Sequence, residues 1–181
     1  MYGRGLPLPL MRIKEKSMDL IVAVYSHWGI GKNGTQPVVV PEDRRHFREI
    51  TGKSTVIVGD RTVKDFPGGK PLKGRRNIIM SIDPDYTCEG AEVAHSVDEA
   101  MALIGENEQV FVIGGASIYR LLLPKCKRAY LTILYTEPEC DVWFPNLDEM
   151  ENWHIEDMGA LHEHDGIKYC FMTYINSEVE R

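Results

Sequence analysis

Asp19-Leu20-Ile21-Val22-Ala23-Val24-Tyr25, residues 19–25, is apolar at nearly every position. A strand with one face in water alternates polar and apolar residues, whereas a strand covered on both faces reads as a continuous β-branched and apolar run. The stretch therefore predicts a central strand of a parallel sheet.

Working outward, strands alternate with helices. Pro41 to about Thr51 predicts a helix, because Pro41 suits a first helical position and Glu42 and Asp43 suit the positive end of the helix dipole. Thr55 to Val58 (TVIV) is a second buried strand, ending in Gly59 and followed by a short helix over Arg61 to Phe66 and a turn at Pro67-Gly68-Gly69. Asn77 to Met80 (NIIM) is a third strand. Ser96 with Glu99 forms a capping box that starts a helix running to Ile104. Val110 to Ile113 (VFVI) runs into Gly114-Gly115 and an amphipathic helix, Ala116 to Leu123. Ala129 to Leu134 and Tyr169 to Ile175 are late strands with no helix between them, which predicts an antiparallel edge. The expected fold is α/β: a single domain whose mostly parallel central sheet is flanked by helices, with an antiparallel C-terminal edge strand.

The bulk numbers agree with one globular domain: 181 residues, 43% hydrophobic and 27% charged. A net charge of -6 without a basic cluster argues against nucleic acid and for a small-molecule partner. Cys88, Cys126, Cys140 and Cys170 contain no C-x-x-C, so they read as reduced thiols of a cytoplasmic protein rather than a zinc site or disulfide frame. Met1 to Ser17 lacks the unbroken apolar core of a signal peptide and is expected to be a disordered extension ahead of a domain over 18–181. No segment is long and apolar enough to be a membrane span.

Within the first helix Asp43, Phe47 and Ile50 fall at i, i+4 and i+7, so the carboxylate shares the apolar stripe while Glu42 points about 100° away. The commoner role of such a residue is to favour the helix start. The sharper one is a ligand-facing carboxylate in an apolar cleft, which needs a cationic or donor-rich partner. Two strand-to-helix junctions, Gly59-Asp60-Arg61-Thr62 and Gly114-Gly115-Ala116-Ser117, offer close backbone approach and unpaired N–H groups to an extended diphosphate ligand. Gly29-Ile30-Gly31-Lys32-Asn33-Gly34 satisfies G-x-G-x-x-G, but Thr35 to Val40 cannot start the helix that fingerprint requires. Ser26 to Val40 reads instead as a mobile loop or lid. His162-Glu163-His164 looks like a metal fragment with no third ligand and reads as a solvated turn, so no metal is expected.

These pieces resemble the dihydrofolate reductase family in order and spacing: Ile21 to Gly31, Pro37, Pro41-Glu42-Asp43 with Phe47, Val58-Gly59 with Thr62, Pro71 to Arg75, Asn77 to Ile79, Val112 to Gly115 with Tyr119, Tyr130-Leu131-Thr132, and Asp141 to Pro145. The resemblance spans Met18 to about Ile175. It implies a hydride passed from NADPH to dihydrofolate, with a proton added to the adjacent ring nitrogen. It implies Asp43 as the pterin-binding carboxylate that assists protonation through water, Thr132 as the hydroxyl that orients it, and Tyr119 beside the nicotinamide as a third catalytic group. Ile21, Ala23, Phe47, Leu72, Arg75 and Ile113 would complete the substrate site, Arg75 holding the glutamate carboxylate of folate. Ala23, Ile30, Gly31, Gly59, Arg61, Thr62, Ser81, Gly114, Gly115, Ala116, Ser117 and Tyr119 would contact the cofactor. A monomer is expected.

Four positions depart from the family pattern. Val38 replaces a usual tryptophan, Arg44 a usual apolar side chain, and Asp60 and Ser117 stand where basic residues often meet the 2'-phosphate. Arg61 or Arg76 would have to lean in to offset Asp60. A riboflavin-pathway pyrimidine reductase of the same fold, and a non-catalytic protein that kept the fold, are the competing readings.

Overall fold

A computed structural model describes residues 16–180. The expected extension lies outside the described residues except for Lys16 and Ser17, and Lys16 Nζ donates to the Met101 carbonyl at 3.0 Å.

Eleven strands and four α-helices are distinguished: β1 (Met18–Tyr25), β2 (Gly29–Gly31), α1 (Pro41–Thr51), β3 (Thr55–Gly59), α2 (Asp60–Val63), β4 (Arg76–Met80), β5 (Glu92–Ala94), α3 (Val97–Leu103), β6 (Val110–Gly114), α4 (Ala116–Leu122), β7 (Cys126–Leu134), β8 (Val142–Trp143), β9 (Trp153–Met158), β10 (His162–His164) and β11 (Ile167–Asn176). The main sheet runs β10-β11-β7-β1-β6-β3-β4-β5, with β9 also on β11. From β7 to β5 every pairing is parallel, and β11 runs antiparallel to β7. The order places β1 centrally, as its apolar run predicts, with Leu20, Val22 and Val24 in the main core. Asp19, the one acid in that run, is buried because β7 bulges opposite it, and its carboxylate accepts the displaced Arg128 N–H at 3.0 Å.

The expected helices and long strands are present with small shifts. The helix expected over 61–66 shortens to Asp60–Val63. The capping box is rearranged: Ser96 Oγ accepts the Glu99 N–H at 3.1 Å, but the Glu99 carboxylate reaches the N–H of His95 at 2.7 Å rather than that of Ser96.

Two expectations change. The segment read as a free loop over 26–40 contains β2, paired with β8, and a turn in which Asn33 and Gly34 take positive φ. Asn33 N–H donates to the Asp141 carboxylate at 2.9 Å, Asp141 N–H to the Gly31 carbonyl at 2.9 Å, and Lys32 pairs with Glu139 at 2.7 Å. This tethers the glycine-rich segment to the β7–β8 connection. His162 to His164 is not a turn but β10: His162 stacks on Tyr169 at 5.3 Å, and His164 Nδ1 meets Glu42 at 3.0 Å. That pairing explains where Glu42 points, and its pKa is held down first by its own backbone N–H and then by His164. No described helix is long and apolar enough to cross a membrane.

Candidate active site

Because the strands from β7 to β5 are parallel, their carboxyl ends share one edge of the sheet, the edge at which open α/β sheets bind ligands. The helix α1 lies beside this edge and is not a core helix: Thr51 is its only fully buried residue, and Phe47 and Ile50 are half-buried. An apolar stripe that is left half open lines a cleft, which favours the ligand-facing reading of Asp43.

The Asp43 carboxyl reaches over the sheet toward Thr132, which sits on β7 opposite Ala23 of β1 and Phe171 of β11. One turn along, the His46 ring stacks on Phe171 at 4.0 Å, fixing the helix against the sheet. Burial pushes the Asp43 pKa above its ordinary value, while the Thr132 hydroxyl, His46 and Arg44 pull it back. Thr132 is 1% exposed, and its Oγ1 makes no ordinary hydrogen bond among the described residues. A buried hydroxyl facing a carboxyl without closing a good bond is a group that a third, donor-bearing partner can complete.

Tyr119 is buried, and its hydroxyl donates to the Ile21 carbonyl at 2.7 Å. Burial, then the nearby Asp43 charge, pushes its pKa far up, so the phenol keeps its proton. It packs edge-on to Phe144 at 5.2 Å. Leu20 of β1 is in register with Val112 of β6, and Ile21 and Ile113 are the next residues of these neighbouring strands, with β6 irregular at Ile113.

Across the cleft, Arg75 stands over the Phe47 ring at 5.7 Å and donates from Nε to Thr51 Oγ1 and from Nη1 to the Lys73 carbonyl, both at 3.0 Å. Burial and the neighbouring Arg48 lower its pKa. The loop carrying Leu72 and Arg75 is clamped by Asn77, whose side chain exchanges hydrogen bonds with both backbone groups of Leu72 (3.0 and 2.9 Å) and donates to the Arg75 carbonyl at 3.0 Å. Asn77 was not singled out from the sequence. Arg44 is exposed and lines an open cavity of about 390 Å³ with Val39, Pro41 and Arg48. Val38 packs with Tyr25, Val40, Leu134 and Tyr169, and Tyr25 Oη bonds both of its backbone groups, at 2.7 and 2.9 Å.

The two strand-to-helix junctions abut. A Cβ at Gly115 would lie 2.9 Å from Thr62 Oγ1, and one at Gly59 would lie 3.0 Å from Ile118 Cγ1 and 3.7 Å from the Gly115 nitrogen. Glycine at 59 and 115 thus lets the two junctions approach closely and form one backbone cradle, which any side chain at either position would force apart. The Gly114-Gly115 peptide is cis, and Ala116 and Ser117 begin α4. Arg61 and Ser117 are exposed, Thr62 is half-buried and Ser81 is buried at the end of β4. Ile30 and Gly31 lie on β2, toward the other side of the cleft, Ile30 packing against the core. Most of the sequence-predicted residues therefore gather at the carboxyl edge, in two adjoining groups around Asp43 and around the two glycine junctions, while Arg75, just ahead of β4, reaches Phe47 and Thr51 of α1 from the amino end of that strand. No cluster of three or more His, Cys, Asp or Glu suited to a metal occurs among the described residues.

The dihydrofolate reductase family model matches residues 17–176. Dihydrofolate reductase type 3 of Salmonella typhimurium is 39% identical over 129 residues, covering 71% of this chain and 78% of that protein. Dihydrofolate reductase of Bacillus subtilis is 33% identical over 159 residues, covering 87% and 93%. The structure of dihydrofolate reductase from Enterococcus faecalis complexed with NADP(H) and RAB-propyl superposes with a TM-score of 0.79 at 31% identity, covering 90% of this chain and 97% of that one. With the carboxylate, the hydroxyl beneath it and the glycine cradle all on the carboxyl edge of one sheet, and the match running along nearly the whole chain, this protein belongs to the dihydrofolate reductase family.

Proposed function

We propose that this cleft reduces 7,8-dihydrofolate to 5,6,7,8-tetrahydrofolate, the step that maintains one-carbon and thymidylate metabolism, in a cytoplasmic monomer formed by residues 18–181. The observation that carries the reading is the half-buried Asp43 carboxyl over Thr132, beside an apolar wall and next to the backbone cradle of Gly59 and Gly115. When bound, NADPH supplies the hydride. Its diphosphate would be held by Gly59, Arg61, Thr62 and Gly114 to Ser117, whose backbones the two glycines bring close together. Ser81 would serve the adenosine half, and Ala23, Ile30, Gly31 and Tyr119 the nicotinamide half.

Asp43 accepts hydrogen bonds from the 2-amino group and ring N–H of the pterin, a paired donor that matches a carboxylate. Its raised pKa keeps a proton available nearer neutral pH than an exposed aspartate would, which assists protonation of the ring nitrogen through water. Thr132 orients that carboxyl from below. Ile21 and Ile113 present backbone at the sheet end, Tyr119 fixes the Ile21 carbonyl, and Phe47 and Leu72 form the apolar wall. Arg75 binds the carboxylate at the far end of the substrate, for which Nη2 has no hydrogen-bond partner among the described residues. The test is isotopic. NADPH carrying deuterium at the transferable position should give tetrahydrofolate containing one deuterium; no product above a protein-free control, with the protein shown to be folded, would refute the reading.

A further inference from the structure

The far end of the cofactor cleft carries charge of the wrong sign for a phosphate. Asp43 of α1 meets Thr132 of β7, on one side of the Gly59 and Gly115 cradle, while β4 and β5 lie on the other. A dinucleotide whose reactive ring sits by Asp43 must therefore extend its adenosine half over the carboxyl ends of β4 and β5. At that end Gly59 of β3 is in register with Met80 of β4, so the next residues of each, Asp60 and Ser81, stand side by side.

The Ser81 hydroxyl donates to Asp60 Oδ2 at 2.6 Å, and Ser81 Oγ accepts the Asp83 N–H at 3.2 Å. The hydroxyl proton is thus committed to a carboxylate and is not available to an incoming anion. Asp83 and Asp85 follow directly, and the next side chain after Ser81, Ile82, is apolar and 94% exposed. The nearby cationic candidates are Arg61, exposed beside Asp60, and His95, whose Nδ1 is occupied by the Ser81 carbonyl at 2.9 Å. Arg76 cannot lean in as the sequence allowed. It begins β4, at the opposite end of the strand from Ser81, and is held there by Glu92 at 2.6 Å and Glu108 at 2.7 Å.

In dinucleotide-binding α/β folds a carboxylate beside the adenosine ribose accepts a hydrogen bond from its 2'-hydroxyl, whereas a 2'-phosphate is met by a basic group. Resting on the proposed function for the class of cofactor, we propose that Asp60, positioned by Ser81, is the residue that sets nucleotide specificity, so that the protein takes NADH alongside NADPH with little preference between them. Asp60 offers the second carboxylate oxygen to the hydroxyl of the one and repels the phosphate of the other, while Arg61 moderates that repulsion.

Direct binding to the full chain, followed by quenching of tryptophan fluorescence without dihydrofolate, tests this. NADPH and NADH should bind within about tenfold of each other, and 2',5'-ADP no more than about tenfold tighter than 5'-ADP. Asp60→Arg should tighten NADPH and 2',5'-ADP by about tenfold, most at low salt, and leave NADH unchanged or weaker. Asp60→Asn, which keeps the size of the side chain, should move in the same direction by less. A wild-type preference for NADPH well above tenfold, or substitutions that shift both nucleotides equally or neither, would overturn the proposal. Because no substrate is present, failure here is separate from failure to reduce dihydrofolate.

Discussion

The Arg75 guanidinium lies over the Phe47 ring at 5.7 Å while its Nε is fixed to Thr51 at 3.0 Å, so α1 supplies both the face and the anchor that orient this cation. A lysine has neither the planar fork nor the stacking surface. Arg75→Lys should therefore raise KM for dihydrofolate by about tenfold with kcat changed much less, the scale of one charge-assisted hydrogen bond. Steady-state kinetics check this; an equal loss in kcat would place Arg75 nearer the chemistry.

Asp43→Asn should lower hydride-transfer turnover by about 10² or more, since Asn keeps the shape but not the charge or the proton. Its effect on stability should have the opposite sign. A carboxyl whose folded pKa is raised destabilises the native state increasingly as pH rises from its unfolded pKa through its folded one, because the native state then gives up a proton it favours. Above that window Asp43→Asn should melt higher than wild type, and below the ordinary aspartate pKa the difference should vanish. Melting curves across pH decide it, and a variant less stable at neutral pH would mean that the charged carboxylate is net stabilising.

Much of this was legible beforehand, for identifiable reasons. The strands β1, β3 and β6 announce themselves because both faces are buried and their apolar runs are continuous. Helical spacing put Asp43 on the stripe with Phe47, but its ligand-facing role came from the family resemblance and not from that spacing. By contrast β9, Trp153 to Met158, buries only its tryptophan, and it and β10 form because β11 presents an unpaired edge to them. No local pattern encodes such a long-range pairing. Asn77 was missed for a similar reason: its work is done on the backbone of Leu72 and Arg75, and a polar residue opening a strand carries no mark of it.

A second missed feature, the Arg76 cluster, has its own consequence. Arg76 bridges Glu92 and Glu108 and also caps the Leu103 carbonyl at 2.8 Å, tying β4, β5 and the end of α3 together. Glu92 is pulled below its ordinary pKa by Arg76. In Glu108, burial opposes the shift but is outweighed by the Thr55 hydroxyl, the Gly105 N–H and Arg76. Arg76→Ala should cost about 1–2 kcal/mol at neutral pH, modest because the groups are partly exposed. Depressed carboxylate pKa values stabilise the fold above the unfolded pKa and lose that contribution as pH falls through the folded ones, so the deficit should shrink under acid conditions. Denaturant titration at neutral and acid pH checks both.

Gly115→Ala should weaken cofactor binding by about tenfold or more, because the new methyl group would stand 2.9 Å from Thr62 Oγ1 and push the two junctions apart. Thermal stability should fall less steeply than affinity, and fluorescence titration with NADPH separates the two. Unchanged affinity would move the diphosphate away from this junction.

Reduction of dihydrofolate in the cleft around Asp43 is followed by reduced-nicotinamide absorbance with saturating NADPH, with and without dihydrofolate, for wild type and Asp43→Asn. NADPH should be oxidised only when dihydrofolate is present, at a rate at least about a hundredfold lower in the variant. Oxidation without dihydrofolate, no oxidation by a folded wild-type protein, or equal rates for the two proteins would contradict it.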